Sequence, residues 1–401
     1  MKLNLRLVLV VAAVPGVAIV LYLQFQKLLA DRSVLPPDDF VEYWAAGWLN
    51  AIGENPYDPE KLLPLERSAG RDTDEAIMMW NPPWTLAIAM PFGVMDSRAA
   101  QLLWLILGFI FIAAGADLLW RVYDGPPQMR WVAWLLAFTF LPTFFVLGSG
   151  QIGPWVLLGA VLFLVFLRQG WPMLAGAATV LLAIKPHLVY LFWIALIVWG
   201  VRRNWRMLIG GLIAGVTATA LAVACNPDVL HQYWEAMTQR PPAQWQSPTL
   251  GTVLRMIEGE SRFGLQFVPG LLGVGWLIWH FCRGPAAQAR EAADPLLARR
   301  SQEWRWPEQL PMLLLVSFVT ASYGAWPFDL VILLPAVIQV AAKIARHPSR
   351  SRVGTGLVCW LVINVPALLL NVLKVNSFWF IWVAPVMLIA YLLTFRTMDD
   401  A

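Results

Sequence analysis

Two adjacent carboxylates, Asp38 and Asp39, are the residues of this chain whose type and position best suit chemistry. They open an acidic loop rich in Tyr and Trp at residues 36–59, and a rigidly held carboxylate there can act as a general base. Asp39-Phe40-Val41-Glu42 also fits a capping box, with Asp39 as the N-cap and Glu42 at N3. Capping alone is the alternative role, although a carboxylate at a helix N-terminus stays ionised and so remains a usable base. Asp39 is therefore the predicted base, and Asp38 is the weaker candidate.

Lys185 and His187 flank Pro186 in an otherwise apolar part of the sequence. A charge in such surroundings needs a partner, so this pair is predicted to bind a phosphate, with Lys185 as the charge and His187 as a hydrogen-bond donor. The alternative is that Lys185 extends to the membrane surface. Arg255 is a candidate second phosphate ligand, and a solvated surface arginine is its alternative.

Asn81 and Gln151 are candidates for contact with a substrate. Asn81 follows Trp80 in a segment whose tryptophans could stack on a sugar ring, although Trp near a membrane surface is ordinarily an anchor. Gln151 lies in an SGQIG turn, where it could hydrogen-bond a sugar hydroxyl or serve only as a turn residue.

Composition places these residues in an integral membrane protein. Of 401 residues, 59% are hydrophobic and 13% charged, and the mean hydropathy is +0.62. The apolar runs have the length of helices, which excludes an outer-membrane barrel. Three scattered cysteines and four dispersed histidines indicate neither a disulfide framework nor a metal site, and no cofactor is expected. The net charge of +4 comes from basic loops and does not indicate nucleic-acid binding.

The sequence predicts an all-α, polytopic protein with about twelve transmembrane helices in a single domain, 1–401. The first apolar run is too long for a signal peptide and is predicted to be retained. The predicted helices lie near 6–29, 99–120, 131–147, 153–168, 171–184, 187–201, 206–225, 264–281, 310–322, 328–343, 353–372 and 376–395.

Loop charge predicts which ends of these helices share a side. Basic loops should be cytoplasmic, and they include Arg168, Arg202 and the run at 343–352. Keeping Arg168 and Arg202 on one side requires a helix break at Pro186. A first outer loop at 31–98 and a second at 226–263 then face outward. Residues 31–80 hold eleven Asp and Glu against four Lys and Arg, which agrees with an external position.

Within the first outer loop, residues 40–52 have the spacing of an amphipathic helix lying on the membrane surface. The apolar stretch Trp84–Met95 is too short to span and is predicted to be interfacial or re-entrant. The candidate polar residues all fall on the external face, so the site is predicted to face the periplasmic or extracellular side of the inner (cytoplasmic) membrane.

The loop DDFVEYWAAGWLNAIGENPYD resembles the Asp-Phe-x-x-Tyr…Ala…Gly-x-x-Pro-Tyr opening loop of glycosyltransferase family 87. Other segments are similar to that family in collinear order: MWNPPWTLAIAMPFGVMD to its aromatic–Pro–Pro segment, SGQIGPWVLLGAVLF to its Gly-Gln helix start, AGAATVLLAIKPHLVYL to its Ala-Gly…Lys-Pro helix pair, and SYGAWPFDLVILLPAVI to its late outer loop. The chain departs from some members that carry a His after the Trp of the late loop, where it has Pro327.

The resemblance implies a GT-C membrane enzyme, a family class that includes polyprenol-phosphate-mannose-dependent mannosyltransferases. It implies inverting transfer of a hexose from a polyprenyl-phosphate donor to a glycolipid or glycan acceptor in the cell envelope. Asp39 corresponds to the family's base, Lys185-Pro186 to its Lys-Pro, and Tyr43 to the Tyr of the opening motif, where it is expected to bind substrate. The adjacent Asp38-Asp39 pair is not a spaced Asp-x-Asp motif, so no metal is expected.

Two other functional classes remain open from the sequence. A secondary transporter or a translocase of a lipid-linked saccharide should carry acidic or His residues at mid-helix depth. The clearest internal carboxylate, Asp117, lies near a helix end. A membrane protein of structural or assembly function, with no chemistry, is the third possibility.

Overall fold

Helices make up 78% of the computed structural model, and no β-strand occurs in the residues it describes, which are 35–239, 246–259, 261–291 and 305–399. The predicted all-α class is confirmed. Numbered in chain order, the α-helices are α1 Phe40–Ala51, α2 Pro59–Ser68, α3 Leu86–Gly93, α4 Ser97–Val122, α5 Arg130–Thr139, α6 Leu141–Ser149, α7 Gly153–Arg168, α8 Pro172–Leu182, α9 Tyr190–Arg203, α10 Trp205–Cys225, α11 Val229–Gln239, α12 Leu250–Glu258, α13 Val268–Glu291, α14 Trp306–Val319, α15 Leu334–Arg346, α16 Arg350–Val372 and α17 Val383–Asp399.

The described part of the chain has five helical stretches that are long and apolar enough to cross a membrane, which supports a membrane protein. They are Ser97–Val122, Trp205–Cys225, Phe263–Phe281, Arg350–Val372 and Ser377–Phe395. The expected count of about twelve spans is not confirmed, because several predicted helices exist but are short. Helix α8 has 11 residues and α9 has 14, whereas a perpendicular crossing needs about 20. The predicted helix at 6–29 lies outside the described residues.

The single helix predicted at 131–147 is two helices, α5 and α6, bent by 59°. Pro142 is the physical reason, since it lacks an N–H and its ring crowds the residues before it. Phe140 between the helices is extended, with ψ 114°. The side-chain oxygen of Asn364 accepts the backbone N–H of Leu141 at 2.9 Å, which satisfies a donor left free by the break. Counted as one span, the bent pair would be a sixth.

Helix α1 is an internal element, where the sequence predicts an amphipathic surface helix. Ten of its 12 residues are buried. It crosses α3 with the two backbones in contact: a Cβ at Gly47 would lie 2.3 Å from the carbonyl oxygen of Ala89, and one at Gly93 would lie 2.2 Å from the Trp48 nitrogen. Only glycine permits this approach, and it fixes the direction in which the start of α1 points.

The helix break expected at Pro186 is confirmed. Helix α8 ends at Leu182, a 3₁₀ turn covers Pro186–Val189, and α9 begins at Tyr190. Lys185, between them, has φ −127° and ψ 66°, so its backbone belongs to neither helix. This break positions the predicted lysine.

Candidate active site

Asp39 occupies the N-cap position of α1, but its side chain makes no capping hydrogen bond. The capping-box prediction is therefore wrong for the carboxylate. Its backbone is already helical, with φ −72° and ψ −18°, and this turns the side chain away from the N–H groups of the first turn. The Asp39 carboxylate instead accepts a hydrogen bond from the side-chain amide of Gln151, Nε2 to Oδ2, at 3.0 Å.

Gln151 joins the predicted base to the predicted cation. Its Oε1 accepts the hydroxyl of Tyr43 at 2.8 Å and the ammonium of Lys185 at 3.0 Å. Its Nε2 donates to Asp39 and, at 3.5 Å, to Oε1 of Glu42. One buried amide thus orders three sequence-predicted residues, Asp39, Tyr43 and Lys185, together with Glu42.

The SGQIG turn places Gln151 because Gly150 adopts a left-handed conformation. Its φ is +71°, and a Cβ there would lie 2.6 Å from the Cβ of Phe40. Trp104 on α4 fixes both sides of the contact. Its indole N–H donates to the Gly150 carbonyl at 2.8 Å, and its ring stacks on Tyr43 with centroids 5.3 Å apart.

Lys185 is buried and forms an ion pair with Asp329, at 2.7 Å between Nζ and Oδ1. It does not extend to solvent. The other oxygen of Asp329 accepts the backbone N–H of Trp326 at 3.1 Å, which holds the carboxylate in place. The ring of Phe328 lies 5.2 Å from the ammonium and adds a cation–π contact. The late loop therefore belongs to the same cluster as Asp39.

Burial dominates the electrostatics of the three clustered carboxyl groups. It raises the pKa of Asp39, while the Gln151 hydrogen bond and the positive charges of Lys185 and Arg71 oppose the rise. Burial, followed by repulsion from Asp39, raises the pKa of Glu42 to about 8. The side chain of Asp38 still reaches solvent, and its partial desolvation, followed by repulsion from Asp39, raises its pKa to about 6. Asp39 thus has cationic and hydrogen-bonding support for its ionised form that suits a base.

Arg71 is a second cation near the aspartates, and nothing in the sequence singled it out. One guanidinium nitrogen donates to the buried carboxylate of Glu66 at 2.8 Å and to the carbonyl of Glu75 at 2.7 Å. Glu66 also accepts the N–H of Ile77. These contacts lie within the first outer loop, so a folded loop is needed to bring Arg71 close to Asp38 and Asp39.

The other two predicted phosphate ligands, His187 and Arg255, lie near a different part of the late loop from Lys185. His187 is exposed, and a Cβ at Gly324 would lie 2.9 Å from its Nε2. Arg255 is buried on α12, where it donates to Oε1 of Gln266 at 3.2 Å and lies over the ring of Phe263. Arg255 is therefore not the solvated surface arginine that was its alternative role.

The amide of Gln266 also donates to the carbonyl oxygen of Ser322. The loop at 322–329 thus contacts Lys185 and His187 directly, through Asp329 and Gly324, and reaches Arg255 through the hydrogen bonds of Gln266.

Asn81 forms a hydrogen bond with the residue before Lys185 and so stabilises the turn that holds the lysine. Its amide nitrogen donates to the carbonyl oxygen of Ile184 at 3.1 Å, and its own backbone carbonyl accepts the Tyr57 hydroxyl at 3.3 Å. The indole of Trp84 donates to the neighbouring carbonyl of Ala183 at 3.0 Å. The amide expected to contact substrate is therefore occupied by the fold.

Three site residues were not among the sequence-predicted ligands: Glu42, Asp329 and Arg71. Glu42 had a usable signal, since a residue three positions after Asp39 lies on the same helix face. Asp329 had one too, as an acidic residue in an apolar segment that resembles the family's late loop. Arg71 had none.

The arrangement combines an ionisable carboxylate, a buried cation and an ordered amide at the meeting point of four chain segments. In a comparison with protein families, the sequence model of glycosyltransferase family 87 matches residues 80–299, more than half of the chain. That range contains Gln151, Lys185 and Arg255, and it leaves Asp39 and Asp329 outside. Comparisons with curated proteins and with solved structures found no match.

Proposed function

The chain belongs to glycosyltransferase family 87 and is a glycosyltransferase, and from this premise we propose which sugar transfer it performs. The donor is a polyprenyl-phosphate hexose, with mannose as the first candidate, and the acceptor is a hydroxyl of a glycolipid or glycan. The reaction takes place at the outer face of the cytoplasmic membrane. Family membership favours this reaction over transport of a lipid-linked saccharide.

In the proposed reaction Asp39 accepts the proton of the acceptor hydroxyl. The acceptor oxygen attacks the anomeric carbon, and the bond between that carbon and the phosphate oxygen breaks with the electron pair leaving on the phosphate. Attack opposite the leaving group inverts the anomeric configuration. The polyprenyl phosphate departs with one more negative charge, which nearby cations stabilise.

The observation that carries the proposal is the hydrogen-bonded chain Asp39–Gln151–Lys185, with links of 3.0 Å each. It holds a carboxylate and a cation on opposite sides of one amide. Because the Lys185 ammonium pairs with Asp329 and not with Asp39, the base is not neutralised by a direct ion pair. The amide separates Asp39 from Lys185 while fixing both positions.

Lys185, His187 and Arg255 are the proposed donor-phosphate ligands, and Tyr43 and Gln151 are the proposed substrate-binding residues. Lys185 is balanced by Asp329 at 2.7 Å, so an incoming phosphate would share the ammonium with that carboxylate. His187 is exposed and can donate without losing a partner. For Asn81 we propose positioning of Lys185 through Ile184 instead of direct contact with the sugar.

Substitution of the base tests the function. Asp39→Asn should lower kcat by at least about 100-fold with little change in KM, because general-base catalysis typically contributes 100-fold or more. Transfer of labelled hexose from a polyprenyl-phosphate hexose by the purified protein in detergent measures it. Asp38→Asn is the matched control and should keep most of the activity; equal losses in both variants would reject Asp39 as the specific base.

Lys185→Gln tests the leaving-group role separately. We expect a loss of about 100-fold in kcat, the size seen when one preorganised donor is removed. The control variant is Lys61→Gln: Lys61 lies in the first outer loop, is exposed and pairs with Glu54, so its loss should leave the activity unchanged. A loss confined to KM would show that Lys185 binds the donor without stabilising the transition state.

A further inference from the structure

A cavity of about 950 Å³ lies at the end of the helices opposite Asp39. Helix α7 begins two residues after Gln151 and ends at Arg168, which lines this cavity. At 1.5 Å per residue its 16 residues span about 24 Å. The segment from Asp329 to Arg346 likewise starts in the candidate active site and ends in this cavity. The two sites share no residue.

The charge of this cavity is positive. Cationic side chains outnumber carboxylates in its lining four to two. The cations are Arg168, Arg305, Lys343 and Arg346, and the carboxylates are Asp124 and Glu308. Aromatic rings of Tyr123, Trp199, Trp306 and Phe395 complete the walls. A concave basic site with aromatic walls suits an anion that carries an apolar or extended group.

Several lining residues are held rigidly by the fold. Arg168 donates to the carbonyls of Arg121 and Val122 at 2.6 and 2.7 Å and pairs with Asp124. The amide of Gln339 accepts the hydroxyl of Tyr391 and donates to the Pro307 carbonyl at 3.0 Å. The hydrogen bonds within the fold occupy these groups and fix the shape of this part of the cavity wall.

Two other lining groups, Arg346 and Asn204, are available to a ligand. Arg346 is exposed and has no ion pair with the residues that the structure describes. The side-chain amide of Asn204, half-buried between α9 and α10, makes no hydrogen bond to those residues either. The ammonium of Lys343 lies 3.6 Å from the ring centroid of Phe395, which positions its charge at the cavity. The planar guanidinium of Arg346 matches the paired oxygens of a phosphate.

From this combination we propose that the cavity is a binding site for a phosphate ester anion, held by Arg346 and Asn204 beside the positive charge of Lys343. Loop charge predicts that this end of the helices is cytoplasmic. An anionic phospholipid headgroup is then the nearest source, because anionic lipids are abundant in the cytoplasmic leaflet and basic segments beside membranes attract them. A soluble phosphate monoester has the same chemistry and is the second source.

The test uses the purified full-length protein in detergent, with unfolding temperature measured against added ligand. The probes are phosphatidylglycerol, glycerol 3-phosphate and, as the zwitterionic control, phosphatidylcholine. We expect phosphatidylglycerol to raise the unfolding temperature in a saturable way and phosphatidylcholine to have no such effect. Arg346→Gln should weaken the apparent Kd about tenfold, since one charge-assisted hydrogen bond is lost.

Arg350→Gln is the matched control: Arg350 is exposed, follows Arg346 by four residues and does not line the cavity. It should bind as the unmodified chain does. Lys343→Gln is a second variant that should also weaken binding. Saturation by glycerol 3-phosphate with the same dependence on Arg346 would support the site with a soluble ligand.

Three results would overturn the proposal. They are equal affinity of the Arg346→Gln and unmodified proteins for both phosphate probes, equal losses in the Arg350→Gln control, and no preference for either phosphate probe over phosphatidylcholine.

Discussion

At the scale of single residues, Gln151 uses both ends of its amide for opposite purposes. The oxygen accepts from the Tyr43 hydroxyl and the Lys185 ammonium, and the nitrogen donates to carboxyl oxygens of Asp39 and Glu42. A flipped amide would place its oxygen against the Asp39 carboxylate and its N–H groups against the Lys185 ammonium. The surrounding charges therefore fix its orientation, and a hydrocarbon side chain cannot replace it.

We predict that Gln151→Leu moves the acidic limb of the pH–rate profile to higher pH. Asp39 must be ionised to accept a proton, so the rate falls as the pH drops through its pKa. The Gln151 hydrogen bond lowers that pKa against the effect of burial, and its loss lets the pKa rise. The profile of kcat/KM against pH measures the shift.

Gln339→Leu is the control for loss of a buried, hydrogen-bonded glutamine far from Asp39. It should destabilise the protein and leave the limb in place. An acidic limb that is the same in Gln151→Leu and in the unmodified chain would contradict the assignment.

Glu42 predicts a pH-dependent stability. Burial raises its pKa from 4.5 to about 8, so between these values the folded chain binds a proton that the unfolded chain has released. This group therefore makes the fold less stable as the pH rises through that window. The side chain at position 42 of the Glu42→Gln variant cannot ionise. The unfolding temperature of the variant minus that of the unmodified protein should therefore increase as the pH rises from about 5 to about 8.

Unfolding followed by fluorescence at several pH values gives the comparison. Glu60→Gln, an exposed residue of the same loop, should show no such trend. A Glu42→Gln difference that is constant with pH would mean that Glu42 is ionised throughout.

At the scale of elements, the contact between α1 and α3 decides where Asp39 lies. Asp39 directly precedes α1, and Tyr43 and Glu42 lie on its first turn. The position of all three follows from the angle at which α1 crosses α3, which two glycines permit. Helix α1 thus contains residues of the site and also fixes where they lie.

Gly47→Ala should therefore destabilise the fold and lower activity together. The added Cβ would lie 2.3 Å from a backbone oxygen, so one helix must shift, at a cost of about 1–3 kcal/mol for overpacking. Gly354→Ala is the matched control, since a Cβ there meets nothing within 4 Å. It should stabilise its helix slightly, by up to about 1 kcal/mol. Thermal unfolding and sugar transfer are the two measurements, and equal behaviour of the two variants would refute the contact.

At the scale of the whole molecule, two polar regions lie at opposite ends of a helical structure. The end with Asp39 is acidic and holds the proposed chemistry, while the end with Arg346 is basic. Loop charge predicts that the first of these ends faces the outer side of the membrane and the second the cytoplasm. This polarity also separates the reaction from the proposed phosphate site, so substitutions at one should leave the other intact.

Cysteine labelling tests the assignment of sides. In a background with the three native cysteines replaced by serine, Asp38→Cys should react with a membrane-impermeant maleimide in intact cells. His347→Cys should react only after the membrane is permeabilised. Both residues are exposed, so access to the side chain is not limiting. Labelling of both positions from the same side would contradict the predicted orientation.

The positions of the helices were largely predictable from the sequence, because apolar runs and proline breaks are local signals. Helix α7 lies at the predicted residues 153–168, and the break at Pro186 is where loop charge required it. The number of spans was not predictable in the same way. A short apolar run can be a buried segment packed among longer helices, and composition alone does not separate these cases.

The same distinction between local signals and tertiary packing applies to the candidate site. The sequence by itself determined the membrane class, the family resemblance and the identity of Asp39, Tyr43, Gln151 and Lys185 as candidates, since these depend on composition and on residues close together in the chain. Only the tertiary structure decided that Gln151 connects Asp39 to Lys185, that Asp329 balances the lysine and that Arg71 approaches the aspartates. Contacts between residues tens to more than a hundred positions apart depend on how helices cross, and here two glycines and one proline break set those crossings.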